Sequence, residues 1–204
     1  MAGIIPVDTG PSECHLFSPA RWAAGFLQLE SDTMRYPLPA LLILATLPAP
    51  ASAQAVASIR PLFEASKGNL LKSAEQMPEA NYSFKPVPTV RSFGEILGHL
   101  ANENYLLCAT ARGEPNPAQD KDFEKTAGKA ALVTALRESL AYCDEAYRLP
   151  DSKAMEPVEV FGMKGTRLWA ITLNLTHNGE HYGNLVTYFR IKGMVPPSSQ
   201  RSSM

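Results

Sequence analysis

Between residues 58 and 191, apolar positions recur every three to four residues in four blocks, and Pro, Gly and Asn separate the blocks. That period is the mark of amphipathic helices packed on one another. The first block runs from Ser58 to Met77, with Ile59, Leu62, Phe63, Leu70, Leu71 and Ala74 on one stripe, Ser58 as candidate N-cap and Pro78 closing it. Two X-Pro units in NYSFKPVPTVR then favour extended backbone. The second block opens on Ser92 and Glu95, an S-x-x-E capping box, and predicts a helix from Phe93 to Ala111.

A polar connection, RGEPNPAQDKDFEK, leads to a third helix from Gly128 to Arg148, which should bury Leu132, Val133, Leu136, Leu140 and Tyr147. The stretch PVEVFGMKGT reads as a short hairpin with Gly162 and Gly165 as turn residues. The fourth helix runs from Arg167 to Ile191, where Gly193, Pro196 and Pro197 stop it. Four helices of roughly 20 residues with one longer crossing connection make an all-α four-helix bundle over residues 54–204. Neither a second domain nor an internal repeat is visible.

The residues before 54 do not share this pattern. From Met34, MRYPLPALLILATLPAPASAQA combines a positive start at Arg35, an apolar run from Leu38 to Leu47 and the small-residue site Ala51-Ser52-Ala53. This is the three-part form of a secretory signal peptide over 34–53, with cleavage after Ala53. The apolar run falls short of the roughly 20 residues a membrane span needs, so retention as an anchor is the weaker alternative. A signal peptide begins at the initiator, which makes residues 1–33 an upstream extension outside the mature protein. The expected location is periplasmic or secreted, without a stable membrane anchor after cleavage.

Export changes how the cysteines read. Cys14 is removed, and Cys108 and Cys143 remain as an even pair in an oxidising compartment. They form a disulfide if the second and third helices run parallel as neighbours, and are otherwise two separately buried thiols. Composition excludes other classes: 45% hydrophobic and 19% charged residues belong to a globular protein, and a net charge of -1 lacks the basic excess that nucleic acid requires.

The chemistry lies along a polar line on the fourth helix. His177 and His181, four positions apart, share one face a turn from each other, and Asn174 and Asn184 extend the line. The rest of that helix is apolar, so the line faces the bundle interior, where either a metal ion or hydrogen bonds must satisfy it. His99, flanked by Ile96 and Leu100, supplies a third imidazole from the second helix. Three histidines without a charged ligand leave coordination positions open, as in catalytic zinc sites, and imidazole also suits nickel or iron. Glu103, four residues after His99, is a candidate acceptor for an imidazole N–H or a general base, unless it is a solvated surface carboxylate. Asn102 and Asn174 are candidates for orienting the ligands, and Glu180, adjacent to His181, should point away from the metal.

The run LTHNGEHYGNLVTYFRIKGMVPPSS resembles the last helix of DinB-like proteins, with its histidine pair, aromatic-Arg pair and Gly-x-x-Pro ending. SFGEILGHLANEN is similar to the second helix of that family, and the resemblance spans residues 57–199. It implies a bundle of up-down-down-up connectivity and one divalent metal, zinc or nickel, at the positions of His99, His177 and His181. The family often carries Arg-Gly-Gln where this chain has Tyr182-Gly183-Asn184, a departure that spares the ligands and removes any inference about substrate contacts. Its members include thiol-dependent S-transferases and a maleylpyruvate isomerase. The expectation is a metal-dependent hydrolase or group transferase for a small-molecule substrate. The alternative is a non-catalytic metal-binding or stress-related bundle, and a homodimer would suit either. The chain contains no C-x-x-C-H, no Glu-x-x-His pair, no G-x-S-x-G and no P-loop.

Overall fold

The computed structural model describes residues 54–200, so the expected upstream extension (1–33) and signal peptide (34–53) lie outside the described residues. The first helix, α1 (Ala55–Gln76), begins before Ser58, the expected cap. Ser58 sits inside its first turn with Oγ donating to the Gln54 carbonyl at 2.7 Å. The free amides of Ala55 and Val56 donate instead to the Asp151 carboxylate, 3.2 Å away in each case, an N-cap supplied from a distant part of the chain. Leu62 is also not where the apolar stripe put it. The buried line of α1 is Val56, Phe63, Leu70 and Ala74, and Leu62, about 100° around the helix from Phe63, faces solvent.

The capping box starts α2 (Phe93–Arg112) as the sequence predicts: Ser92 Oγ accepts the Glu95 amide and the Glu95 carboxylate accepts the Ser92 amide. Gly113, with φ 73°, ends the helix in the left-handed conformation that only glycine adopts without strain. Next come α3 (Lys129–Ala146), a single helical turn α4 (Asp151–Ala154), strands β1 (Pro157–Val160) and β2 (Met163–Thr166), and α5 (Arg167–Ile191). The strands form an antiparallel hairpin with Val160 opposite Met163. Its two-residue turn places Phe161 and Gly162 at φ 51° and 75°, the type I′ geometry. Gly165 is not a turn residue. It lies within β2 against the Trp169 ring, where a Cβ would come within 2.4 Å of an indole carbon.

The four long helices are connected up-down-down-up, and their side chains fix the directions. Gly94 meets Leu132 near the start of both α2 and α3, and Asn104 meets Ser139 further along, so these two helices run parallel. Pairing of Glu75 with Arg137 and of Lys67 with Asp144 makes α1 antiparallel to α3, and Phe63 stacks on Tyr147 at 3.9 Å. Phe93 beside Phe189 and Arg167 on the carbonyls of Ala111 and Arg112 make α5 antiparallel to α2. Cys108 and Cys143 are bridged by a disulfide between the parallel helices.

Two connections hold α5 in register on α2. The apolar core supplies area, and a fully buried polar cluster supplies direction. Asn104 Oδ1 accepts the amides of Asn174 (2.8 Å) and Asn178 (3.1 Å), and its own Nδ2 donates to Ser139 at 3.2 Å. Tyr147, at the end of α3, donates its hydroxyl to Asn174 Oδ1 at 2.9 Å, a second link between the cluster and α3. Such a network fits only one axial offset between helices. Among the described residues, no helix is long and apolar enough to cross a membrane.

Candidate metal centre

With α5 antiparallel to α2 and keyed by Asn104, the second turn of α2 lies opposite the middle of α5. His99 then faces His177 and His181 across the helix pair. His177 Nε2 is 3.1 Å from His99 Nε2 and 3.1 Å from His181 Nε2, and one nitrogen from each ring falls within a 4.8 Å circle. His181 is buried and the other two are partly so. Each of the three sequence candidates is therefore brought to one point.

Proton counting distinguishes a cation site from a hydrogen-bonded cluster. A neutral imidazole has one N–H and one bare nitrogen. His99 Nδ1 lies 2.8 Å from Glu124 Oε1, so its proton belongs there and its Nε2 is bare. His177 Nε2 then faces two nitrogens, and a single proton can serve one of those contacts only. One cation at the centre uses all three lone pairs. Tetrahedral zinc with ordinary Zn–N bonds holds its nitrogens roughly 3.3 Å apart, close to the two 3.1 Å separations that His177 Nε2 makes.

The electrostatics favour neutral imidazoles. Burial, then the neighbouring His181, His99 and Arg91, lower the pKa of His177 from 6.5 to about 4. Burial and His99 lower that of His181 as well. On the outer side of the rings, the Asn184 amide is 3.3 Å from His181 Nδ1. His177 Nδ1 is buried and has no hydrogen-bond partner among the described residues.

The residue that sequence reasoning missed is Glu124. Glu103, one turn along α2, is one candidate for accepting the imidazole N–H; the acceptor at His99 Nδ1 is Glu124. It comes from a short 3-10 turn, Phe123–Lys125, in the polar connection that helical spacing cannot position. A signal was present at Gly98, a glycine inside an otherwise good helix and next to the histidine. A Cβ at Gly98 would lie 2.3 Å from the Phe123 carbonyl oxygen and 2.7 Å from Glu124 Cα, so its bare backbone is what allows the connection to lie against α2. Burial raises the Glu124 carboxyl, but hydrogen bonds from Arg91 and His99 outweigh it and keep the group below its ordinary range.

The other candidates separate. Glu103 is half-buried, and burial raises its carboxyl against the opposing charges of His99 and Arg91. Asn174 belongs to the interhelical polar cluster rather than to a histidine. Asn102 acts on the connection: its Oδ1 accepts the Phe123 amide at 3.0 Å and its Nδ2 donates to Asp122 at 3.2 Å. Glu180 is exposed, on the rim of a cleft of about 740 Å³ that also reaches His181, Glu124, Arg91 and Asn184. The proline-containing linker between α1 and α2 forms the facing wall. Glu103 is not among the residues lining this cleft.

An up-down-down-up bundle with three imidazoles converging from its second and last long helices defines a class of helical proteins able to hold one metal ion. The chain belongs to the DinB superfamily, whose family model matches residues 62–185. Protein YjoA of Bacillus subtilis (strain 168) is 26% identical over 122 residues, covering 59% of this chain and 79% of that protein. The crystal structure of a DinB-like protein from Bacillus cereus ATCC 10987 is similar at a TM-score of 0.58 and 14% identity, covering 68% of this chain and 95% of that one. The crystal structure of the DinB-like YjoA from Bacillus subtilis is similar at a TM-score of 0.54 and 24% identity, covering 71% and 99%.

Proposed function

We propose that this protein is an exported metal-dependent hydrolase or group transferase, with zinc or nickel held by His99, His177 and His181 and a small-molecule substrate in the adjoining cleft. The observation that carries this reading is the convergence of one imidazole nitrogen from each of three histidines, of which His181 lines that cleft. A bound divalent cation would supply Lewis-acid polarisation and lower the pKa of a coordinated water or thiol.

The protein's own residues set the rest. Among the described residues, no carboxylate or thiol joins the three histidines, which leaves coordination positions free for substrate. The low pKa of His177 keeps its ring neutral at physiological pH, as a ligand requires. Glu103, with a carboxyl raised by burial and a place one turn from His99, is the proposed proton carrier. Arg91 and Glu124, opposite in charge and both on the cleft wall, frame the entry to the centre. The Cys108–Cys143 disulfide supports export, because such bonds persist in oxidising compartments.

Cobalt(II) substitution tests the reading. The visible spectrum of the cobalt-loaded protein should report nitrogen coordination, and azide or a small thiol should shift it by entering an open position. A spectrum indifferent to both ligands would mean a closed site and a non-catalytic metal-binding bundle.

A further inference from the structure

We propose that Glu124 is a positioning residue for the metal centre, fixing the tautomer of His99, and that Gly98 is what lets it reach that ring. The inference rests on the three-histidine reading above and deepens it. Its basis is a closed chain of contacts rather than one hydrogen bond.

An imidazole can offer Nε2 to a cation only when its proton sits on Nδ1. A carboxylate that accepts only at Nδ1 enforces that tautomer, and Glu124 Oε1 stands 2.8 Å from His99 Nδ1. The same carboxylate is gripped from its other side by Arg91, with Nε 2.9 Å from Oε2 and a terminal nitrogen 3.3 Å from Oε1. Arg91 is itself anchored to α5, because the Tyr188 hydroxyl donates to its carbonyl at 2.6 Å. The segment carrying Glu124 is held to α2 through Asn102, which binds both Asp122 and the Phe123 amide, while Asp122 caps the Glu124 amide at 3.1 Å. Every link sits outside the metal triangle, and together they tie α5, the linker, the connection and α2 into one ring around His99.

Gly98 has no other evident reason to be glycine. A glycine inside a helix is destabilising relative to alanine. Here a Cβ would strike the backbone of Phe123 and Glu124, not a flexible side-chain end, so the segment would have to lift away and take the carboxylate with it. Gly98→Ala should thus weaken the metal site without touching a ligand.

The test compares wild type, Glu124→Ala, Glu124→Gln and Gly98→Ala. Zinc affinity is read by competition with a chromophoric chelator, and histidine tautomers by long-range nitrogen–proton NMR on metal-free protein. Wild-type His99 should be the Nδ1–H form. Glu124→Ala should bind zinc about 10–100-fold more weakly and let His99 populate the Nε2–H form. Glu124→Gln should lose less, since its amide oxygen still accepts the proton, and Gly98→Ala should behave like Glu124→Ala. If Gly98→Ala does not fold, the two Glu124 variants decide. Zinc affinity within twofold of wild type in Glu124→Ala, with His99 still in the Nδ1–H form, would overturn the proposal. A wild-type chain that binds neither zinc nor nickel would defeat the metal reading instead, and the tautomer comparison would still decide the role of Glu124.

Discussion

Cys108 and Cys143 are fully buried on parallel helices with Cα atoms 5.2 Å apart, and their disulfide joins positions 35 residues apart in sequence. It ties α2 to α3, so the helix that carries His99 is fixed to one neighbour covalently and to the other through Asn104. Closing a loop of this length restricts the unfolded chain and stabilises the fold by about 2–4 kcal/mol. Urea unfolding with and without reductant should differ by that amount, and Cys108→Ala/Cys143→Ala should match the reduced protein. Identical midpoints in both conditions would show the bond to be absent or without effect.

Asn104 should be among the least replaceable residues of the core. Asn104→Ala leaves the Asn174 amide without an acceptor in a region closed to water, while Asn178 keeps only its 3.4 Å contact with Asn174 Oδ1 and Ser139 only the Leu136 carbonyl. A buried group so orphaned costs about 1–3 kcal/mol. The unfolding free energy should fall by at least that range, and metal affinity should fall with it because the register of α5 relaxes. A variant as stable as wild type would mean that packing alone sets the register.

Metal-free protein should weaken as acidity rises. The folded pKa of His177, about 4, lies below its ordinary 6.5, so between those values the unfolded chain binds a proton that the folded chain refuses. The stabilisation is complete above pH 6.5 and is lost as pH falls through the window to about 4. The shift corresponds to about 3 kcal/mol, which screening at the partly exposed ring reduces to roughly 2–3 kcal/mol. Chemical denaturation of wild type and His177→Ala across this range should show a shallower pH slope in the variant. Equal slopes would remove His177 as the source.

The carboxylate of Asp151 is the cap of α1, and its loss should fray that helix locally. Asp151→Ala should cost about 1 kcal/mol and speed hydrogen exchange at Ala55 and Val56. Asp151→Asn should retain most of the protection, since its amide oxygen can still accept. Unchanged exchange in the alanine variant would contradict the cap.

What the sequence discloses depends on how local the cause is. The boundaries of α2 and α5 are written in adjacent residues: Ser92 with Glu95, Gly113, and the stop after Ile191. The pairing of His177 with His181 follows from helical geometry alone. Parallel packing of α2 on α3 was implied by the family resemblance, and it brings the two cysteines together. The features that escaped have causes far along the chain. Asp151 caps a helix that begins 96 residues earlier, and Glu124 reaches His99 from a connection whose path depends on Gly98 and Asn102. Gly165 was misplaced because a glycine that accommodates an aromatic ring looks the same in sequence as one that makes a turn. Leu62 was misplaced because an apolar residue beside the stripe is not distinguishable from one on it.

The central claim, a divalent metal held by three histidines, is tested most directly by elemental analysis of the purified protein and its His177→Ala variant, each equilibrated with zinc or nickel and then desalted. Wild type should retain about one metal ion per chain, and the variant should retain almost none. Equal retention by the two proteins, or none by either, would contradict the site.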